Sequence, residues 1–256
     1  MDKPGVEQIN QEETLDDLIL GNFSLYQARA GYRFSLDAVL LAHFVNLEKV
    51  KRAVDLGTGS GVIATLMAAR SPELHLTGLE LQQDQVDRAR RSVMLNGLQE
   101  RISILQGDVR QVTEQIDPQS VELVVSNPPF RKKGEGRVSK NSEQAVARHE
   151  LHGSLGDFVQ GAGRLLIAGG RLAMIQRTER FIELMQLFKE NQIAPSRLRW
   201  VHSFVHSRAG LFLLEGIKNK STSLEVLPPL IIYDKPKTYS AEILSWYQEK
   251  RGTLDG

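Results

Sequence analysis

Asp55-Leu56-Gly57-Thr58-Gly59-Ser60-Gly61 follows the apolar pair Ala53-Val54 and runs into a small-residue, apolar stretch over 62–69. A strand that ends in Asp-x-Gly-x-Gly-x-Gly and opens a helix brings bare backbone close to a ligand, because glycine has no Cβ and tolerates positive φ. Outward from this turn the pattern alternates. Residues 53–56 read as a short buried strand, 62–69 as a helix, 74–80 as a second strand, and 83–96 as a polar-faced helix stopped by Gly97. Residues 101–106 and 121–125 read as the third and fourth strands, 155–166 as a helix ended by Gly169-Gly170, 171–176 as the fifth strand and 181–191 as a helix. Strands alternating with helices at these lengths predict a mostly parallel, doubly wound α/β sheet.

The final third differs. Segments 198–205, 210–217 and 230–233 are strand-like with no long helix between the first two, which predicts an antiparallel hairpin closing the sheet edge, and 242–251 reads as a terminal helix. Upstream, 18–26 reads as a hairpin around Gly21-Asn22, and Ser35 caps an apolar helix over 35–42. With neither repeats nor a low-complexity linker, the chain divides into an N-terminal extension, 1–45, packed on one large domain, 46–256.

At 256 residues, 41% hydrophobic and 25% charged, the composition is that of an ordinary globular domain with a sizeable core. The polar, acidic N-terminus is unlike a signal peptide, and no apolar run reaches the roughly 18–20 residues of a membrane span, so a cytoplasmic protein without a membrane partner is expected, and a monomer. The absence of cysteine excludes disulfides, thiolate zinc sites and a cysteine nucleophile. Lys plus Arg total 32 against 31 Asp plus Glu, a net +1 that by itself announces no nucleic-acid partner. Charge is concentrated locally, however. Arg131, Lys132, Lys133, Arg137, Lys140 and Arg148 crowd one segment against only Glu135 and Glu143, as either a solvated loop or a phosphate-contacting one.

The spacing Gly57-x-Gly59-x-Gly61 departs from the Gly-x-Gly-x-x-Gly of a dinucleotide site, and Asp55 would repel a pyrophosphate. A carboxylate there suits an ammonium, directly or through water. Glu80, followed by Leu81, ends the second strand where an acid can accept from both hydroxyls of a ribose. Asp108, followed by Val109, ends the third and can accept from an adenine amine; either acid alone also fits a helix cap or turn. An ammonium, a ribose and an adenine without phosphate describe S-adenosylmethionine, whose cationic sulfonium suits three acidic strand ends.

The fourth strand ends in Ser126-Asn127-Pro128-Pro129-Phe130. Proline lacks an N–H and stiffens the backbone, so this run holds carbonyls unpaired in a fixed shape. The exocyclic amine of a base is a poor nucleophile because its lone pair is delocalised. If the Asn127 side-chain oxygen and the Pro128 carbonyl both accept from it, the nitrogen moves toward sp³ and its lone pair turns to the methyl group. Alignment and electrostatics then supply most of the rate, without a strong base. Phe130 would stack on a target base drawn out of its own stack.

With these residues the chain resembles the class I S-adenosylmethionine-dependent methyltransferases, and more closely the tRNA1(Val) adenine-N6 methyltransferase family. The likeness extends over about 15–240 and is carried by residues 31–42, 55–61, 127–130, Ala147-Arg148-His149-Glu150 and 226–233. It implies a seven-stranded Rossmann-like sheet with an antiparallel C-terminal hairpin, tRNA as partner, and methylation of an adenine beside the anticodon. It also implies that Tyr32, Arg33, Phe34 and Asp37 lie near the methionine end of the cofactor. One departure is visible: the resemblance implies His-Arg-Pro-Glu-Arg after the fifth strand, where this chain has Gln176-Arg177-Thr178-Glu179-Arg180. Release-factor glutamine and rRNA guanine-N2 methyltransferases use similar Asn-Pro-Pro runs, and a non-catalytic RNA-binding protein is a further alternative, so the substrate rests on the outer segments. His149-Glu150-Leu151-His152 has the wrong spacing for zinc on a helix face, and no metal is expected.

Overall fold

A computed structural model of the chain describes residues 12–18, 23–29, 36–128 and 153–248. Seven long strands form one sheet: β3 (Arg52–Leu56), β4 (His75–Glu80), β5 (Ile102–Gln106), β6 (Val121–Ser126), β7 (Leu166–Arg177), β8 (Ile193–His202) and β9 (Ala209–Lys218). Their spatial order is β5-β4-β3-β6-β7-β9-β8, with β5 through β7 parallel and β9 antiparallel to both neighbours. Two short strands, β10 (Glu225–Val226) and β11 (Leu230–Ile231), pair with β8 along its outer edge, which makes nine strands in all. The chain steps from β3 out to β5, then returns to the other side of β3 with β6. This reversal opens a crevice at the carboxyl ends of β3 and β6, where doubly wound sheets bind their ligands.

Helices cover both faces. One apolar core gathers α1 (Leu36–Phe44), α2 (Val62–Arg70), α3 (Gln83–Leu95) and Ile243 of α6 (Ala241–Gln248) against the sheet. The other gathers α4 (Leu155–Leu165), α5 (Phe181–Glu190) and a 3-10 segment over Val109–Glu114. Strands buried on both faces read as continuous apolar runs, as in Val124-Val125 and 172–175, all fully buried. α4 begins with a reciprocal capping box in which Ser154 accepts from the Asp157 backbone and Asp157 accepts from that of Ser154.

Three local expectations change. Gly169-Gly170 does not stop a helix: α4 ends at Leu165, and the glycines lie inside β7, where the pairing with β6 slips between Val121 and Leu123 and Gly169 takes φ 83°. A bulge needs the same left-handed freedom as a helix stop, so the residues look alike in sequence. The hairpin strand β8 ends at His202, leaving 203–208 as a turn, whereas a strand was expected to 205. The N-terminal hairpin pairs β1 (Glu13–Asp17) with β2 (Ser24–Ala28), so its first arm is the polar run before Leu18; Gly21-Asn22 and Ser35 lie outside the described residues.

That hairpin docks on α3. The Tyr26 N–H donates to Ser92 Oγ at 3.0 Å, Ser24 N–H to Asn96 Oδ1 at 3.0 Å, and the Arg91 guanidinium sits 4.4 Å over the Tyr26 ring. Buried Glu13 lies between Arg88 and Arg91. Charge in an otherwise polar strand is what ties it to the helix surface.

Candidate active site at the β3–β6 switch

β3 and β6 pair with Leu56 opposite Ser126, and the Ser126 hydroxyl donates to the Leu56 carbonyl at 2.7 Å inside the core. The next residues are Gly57 on one strand and Asn127 on the other. Neighbouring strands lie about 4.8 Å apart, so the glycine turn and the Asn-Pro run face one crevice side by side.

Gly57 has φ 74° and Gly61, which caps α2, φ 84°. Both are conformations that a side chain strains. A Cβ on Gly59 would meet nothing within 4 Å, which leaves open space above the turn for a ligand. Two acids brace the loop. Glu80 accepts from Gly59 N–H at 3.0 Å and from Gln82 N–H at 2.9 Å, and is 6% exposed. Asp55 is fully buried, takes the Thr58 hydroxyl on Oδ2 at 2.7 Å, and leaves Oδ1 buried without a hydrogen-bond partner among the described residues. Burial pushes its pKa up to about 7, the Thr58 hydrogen bond opposes the rise, and the Glu80 charge adds to it. A carboxylate so placed invites a cation.

Asp108 is held differently. It caps the 3-10 segment through Arg110 N–H at 2.9 Å, and Arg110 Nε lies 2.9 Å from both its oxygens. The Arg110 hydrogen bonds hold this carboxyl below the usual range. Val109 is buried in the second core, Leu81 is half-buried after β4, and Asp37 is half-buried in the first turn of α1. Tyr32, Arg33, Phe34, Pro129, Phe130, Arg131, Lys132, Lys133, Arg137, Lys140 and Arg148 lie outside the described residues, as do His149 and His152.

Three features escaped the sequence reading. Gln27 of β2 is buried and donates to Ser60 Oγ, so the N-terminal hairpin clamps the glycine turn. Gln176, at the end of β7, donates from Nε2 to the Pro128 carbonyl at 3.3 Å. Third, the β8–β9 turn projects at the same end of the sheet and exposes Phe204 and Val205. Phe204 lies 5.7 Å from Tyr233, which stacks on Tyr239 at 5.1 Å across the hairpin of β12 (Tyr233–Lys235) and β13 (Thr238–Tyr239). Arg208, on the same turn as Phe204, and Lys235 and Lys237, in the hairpin of Tyr233 and Tyr239, are exposed. Alternating aromatic and basic residues near the C-terminus were the available signal.

The residues present fit S-adenosylmethionine: an acidic pair, one of whose buried oxygens has no hydrogen-bond partner among the described residues, and a turn whose glycines leave open space for a ligand. A parallel switch-point sheet carrying this site beside an Asn-Pro run defines an S-adenosylmethionine-dependent methyltransferase. The chain belongs to the methyltransferase small domain family, whose model matches residues 35–196. Its relatives include proteins named tRNA1(Val) (adenine(37)-N6)-methyltransferase from Porphyromonas gingivalis W83, 29% identical over 86% of this chain and 89% of the relative, and from Histophilus somni, 29% identical over 89% and 93%. A crystal structure from Agrobacterium tumefaciens, described as a predicted O-methyltransferase, superposes with a TM-score of 0.68 at 23% identity over 83% of this chain and 95% of that one, and shows the shared fold. Among the described residues no helix is long and apolar enough to cross a membrane.

Proposed function

We propose that this enzyme transfers the methyl group of S-adenosylmethionine to the exocyclic N6 of an adenine in tRNA, adenine-37 of tRNA1(Val). The observation that carries the chemistry is the Leu56–Ser126 pairing, which brings Asn127 and Pro128 beside the glycine turn. The names of relatives matched over most of their length support the substrate.

When bound, S-adenosylmethionine supplies an electrophilic methyl on a cationic sulfur. Asp55 would hold the ammonium and Glu80 the ribose hydroxyls, and Gly57, Gly59 and Gly61 would let the backbone close on the ligand. Asp108 would accept from the adenine amine, with Leu81 and Val109 beside it. By the family resemblance, Tyr32, Arg33, Phe34 and Asp37 would serve the methionine end. Asn127 Oδ1 and the Pro128 carbonyl accept from the target amine, whose lone pair then points at the methyl carbon. Pro129 stiffens the run and Phe130 stacks on the target ring. Loss of N6-methyladenosine from the tRNA of a deletion strain supports this reading, and an unchanged nucleoside profile would refute it.

Cofactor affinity should depend on pH. Below about 7 Asp55 holds a proton in the free enzyme, whereas a cationic ligand needs the carboxylate. Each unit below costs up to about 1.4 kcal/mol. Titration calorimetry should show the Kd for S-adenosylmethionine rising up to about tenfold per unit as pH falls below about 7. A pH-independent Kd between 5 and 8 would remove Asp55 from the ammonium site.

The basic segment Arg131, Lys132, Lys133, Arg137, Lys140 and Arg148 contacts phosphates, and the Phe204–Tyr233–Tyr239 row with Arg208, Lys235 and Lys237 receives unstacked nucleotides flanking the target. Replacing Lys235 and Lys237 by Glu should raise KM for tRNA about tenfold and flatten its salt dependence, with cofactor binding unaltered. An unchanged KM and salt slope would place the RNA elsewhere.

A further inference from the structure

The β6–β7 register pairs Ser126 with Met174, so two residues on Gln176 stands level with Pro128. Gln176 is fully buried, and its Nε2 donates to the Pro128 carbonyl at 3.3 Å. The other end of the same amide, Oε1, is buried with no hydrogen-bond partner among the described residues. Turning the amide over would set Oε1 against the carbonyl oxygen and leave the N–H group unpaired, so the Pro128 contact fixes the orientation.

Packing does not call for an amide here. Gln176 pairs across the sheet with Phe212, which lies 5.2 Å from Phe181 and 5.8 Å from Trp200, and Met174 on the same strand face is wholly buried. A methionine or leucine would extend that apolar cluster, whereas a buried unpaired acceptor is destabilising. Pro128 is followed by Pro129, which has no N–H, so the peptide joining them carries a carbonyl and no donor to hold it. A carbonyl has two lone pairs, so the one tied to Gln176 leaves a second that the target amine can use.

We propose that Gln176 is a positioning residue for methyl transfer. Its Nε2 pins the Pro128 carbonyl in the direction from which it accepts the target amine. Its Oε1 is an acceptor held ready for an N–H that arrives with the substrate, so that the buried oxygen becomes paired only in the complex. This rests on the reading of Asn127 and Pro128 as the acceptors of that amine.

The test uses Gln176→Met, which keeps the shape and removes both polar ends, and Gln176→His, whose neutral ring restores one donor and one acceptor and whose protonated ring has donors only. Single-turnover rates at saturating S-adenosylmethionine and tRNA are expressed as ratios to the unsubstituted enzyme, which cancels the pH dependence that Asp55 gives to both. Gln176→Met is expected to lose about tenfold or more in rate, with cofactor Kd and tRNA KM within about threefold. Gln176→His is expected to recover most of the rate at pH 8 and lose it as the pH falls through the imidazole range. A Gln176→Met rate within twofold of the unsubstituted enzyme, or a Gln176→His ratio flat from pH 5.5 to 8, overturns the proposal while leaving the acceptor reading intact. Full activity in Asn127→Ala overturns both.

Discussion

Asn127→Ala is expected to lower the rate of methyl transfer by about 10²–10³-fold, the scale of losing one group aimed at charge that develops in a transition state, while the Kd for S-adenosylmethionine changes little. The split follows from geometry. Asn127 follows Ser126, whose hydroxyl is tied to β3, and is half-buried at the mouth of the crevice. The glycine turn and both acids that brace it stand on β3, β4 and the loops after them. Removing the amide therefore strips the acceptor side and leaves the cofactor side whole. Asn127→Asp separates the two roles further, because it keeps an acceptor and changes its charge. Single-turnover kinetics beside calorimetry checks the separation, and a fully active Asn127→Ala enzyme would sink the mechanism.

The second large effect is at Asp55, where binding and stability move in opposite directions. Asp55→Asn should weaken S-adenosylmethionine roughly 10–100-fold, from the 1.5–3 kcal/mol typical of a hydrogen bond to a charged group. The same substitution should stabilise the free protein at alkaline pH. The folded pKa of about 7 lies above the ordinary carboxyl value of 3.8, so the folded state binds more protons than the unfolded chain between these values. Stability contributed by protonated Asp55 is complete below about 3.8, declines as pH rises, and is gone above about 7. An asparagine keeps an acceptor for Thr58 and does not titrate. Thermal melts of the free protein should thus rank Asp55→Asn above the unsubstituted chain at pH 8 and close to it at pH 4.5. An equal or lower melting temperature at pH 8 would show that Asp55 is not strained in the free enzyme.

The sheet was legible because its evidence is local: apolar strands, glycine turns and polar-faced helices follow one another at lengths that leave little choice of topology. The crevice was legible for the same reason, since Asp55, Glu80 and Asn127 each end a strand and the alternation says which ends lie together. Gly169-Gly170 misled because a bulge and a helix stop need the same backbone freedom. The Asp108 partner lay two residues away in Arg110, near enough to be read as a turn, yet a sequence does not say whether such a pair closes. Contacts between distant segments were out of reach. Neither the bond from Gln27 to Ser60 nor that from Gln176 to Pro128 follows from any spacing, because each depends on a register that only the folded sheet sets.

The most direct trial of the central claim is methyl transfer itself. Bulk tRNA from cells lacking the enzyme is incubated with it and S-adenosylmethionine carrying a tritiated methyl group, then digested to nucleosides and separated. Label in N6-methyladenosine, confined to one adenosine beside the anticodon of tRNA1(Val), is the predicted result. Label in N2-methylguanosine, or none in tRNA, would contradict it.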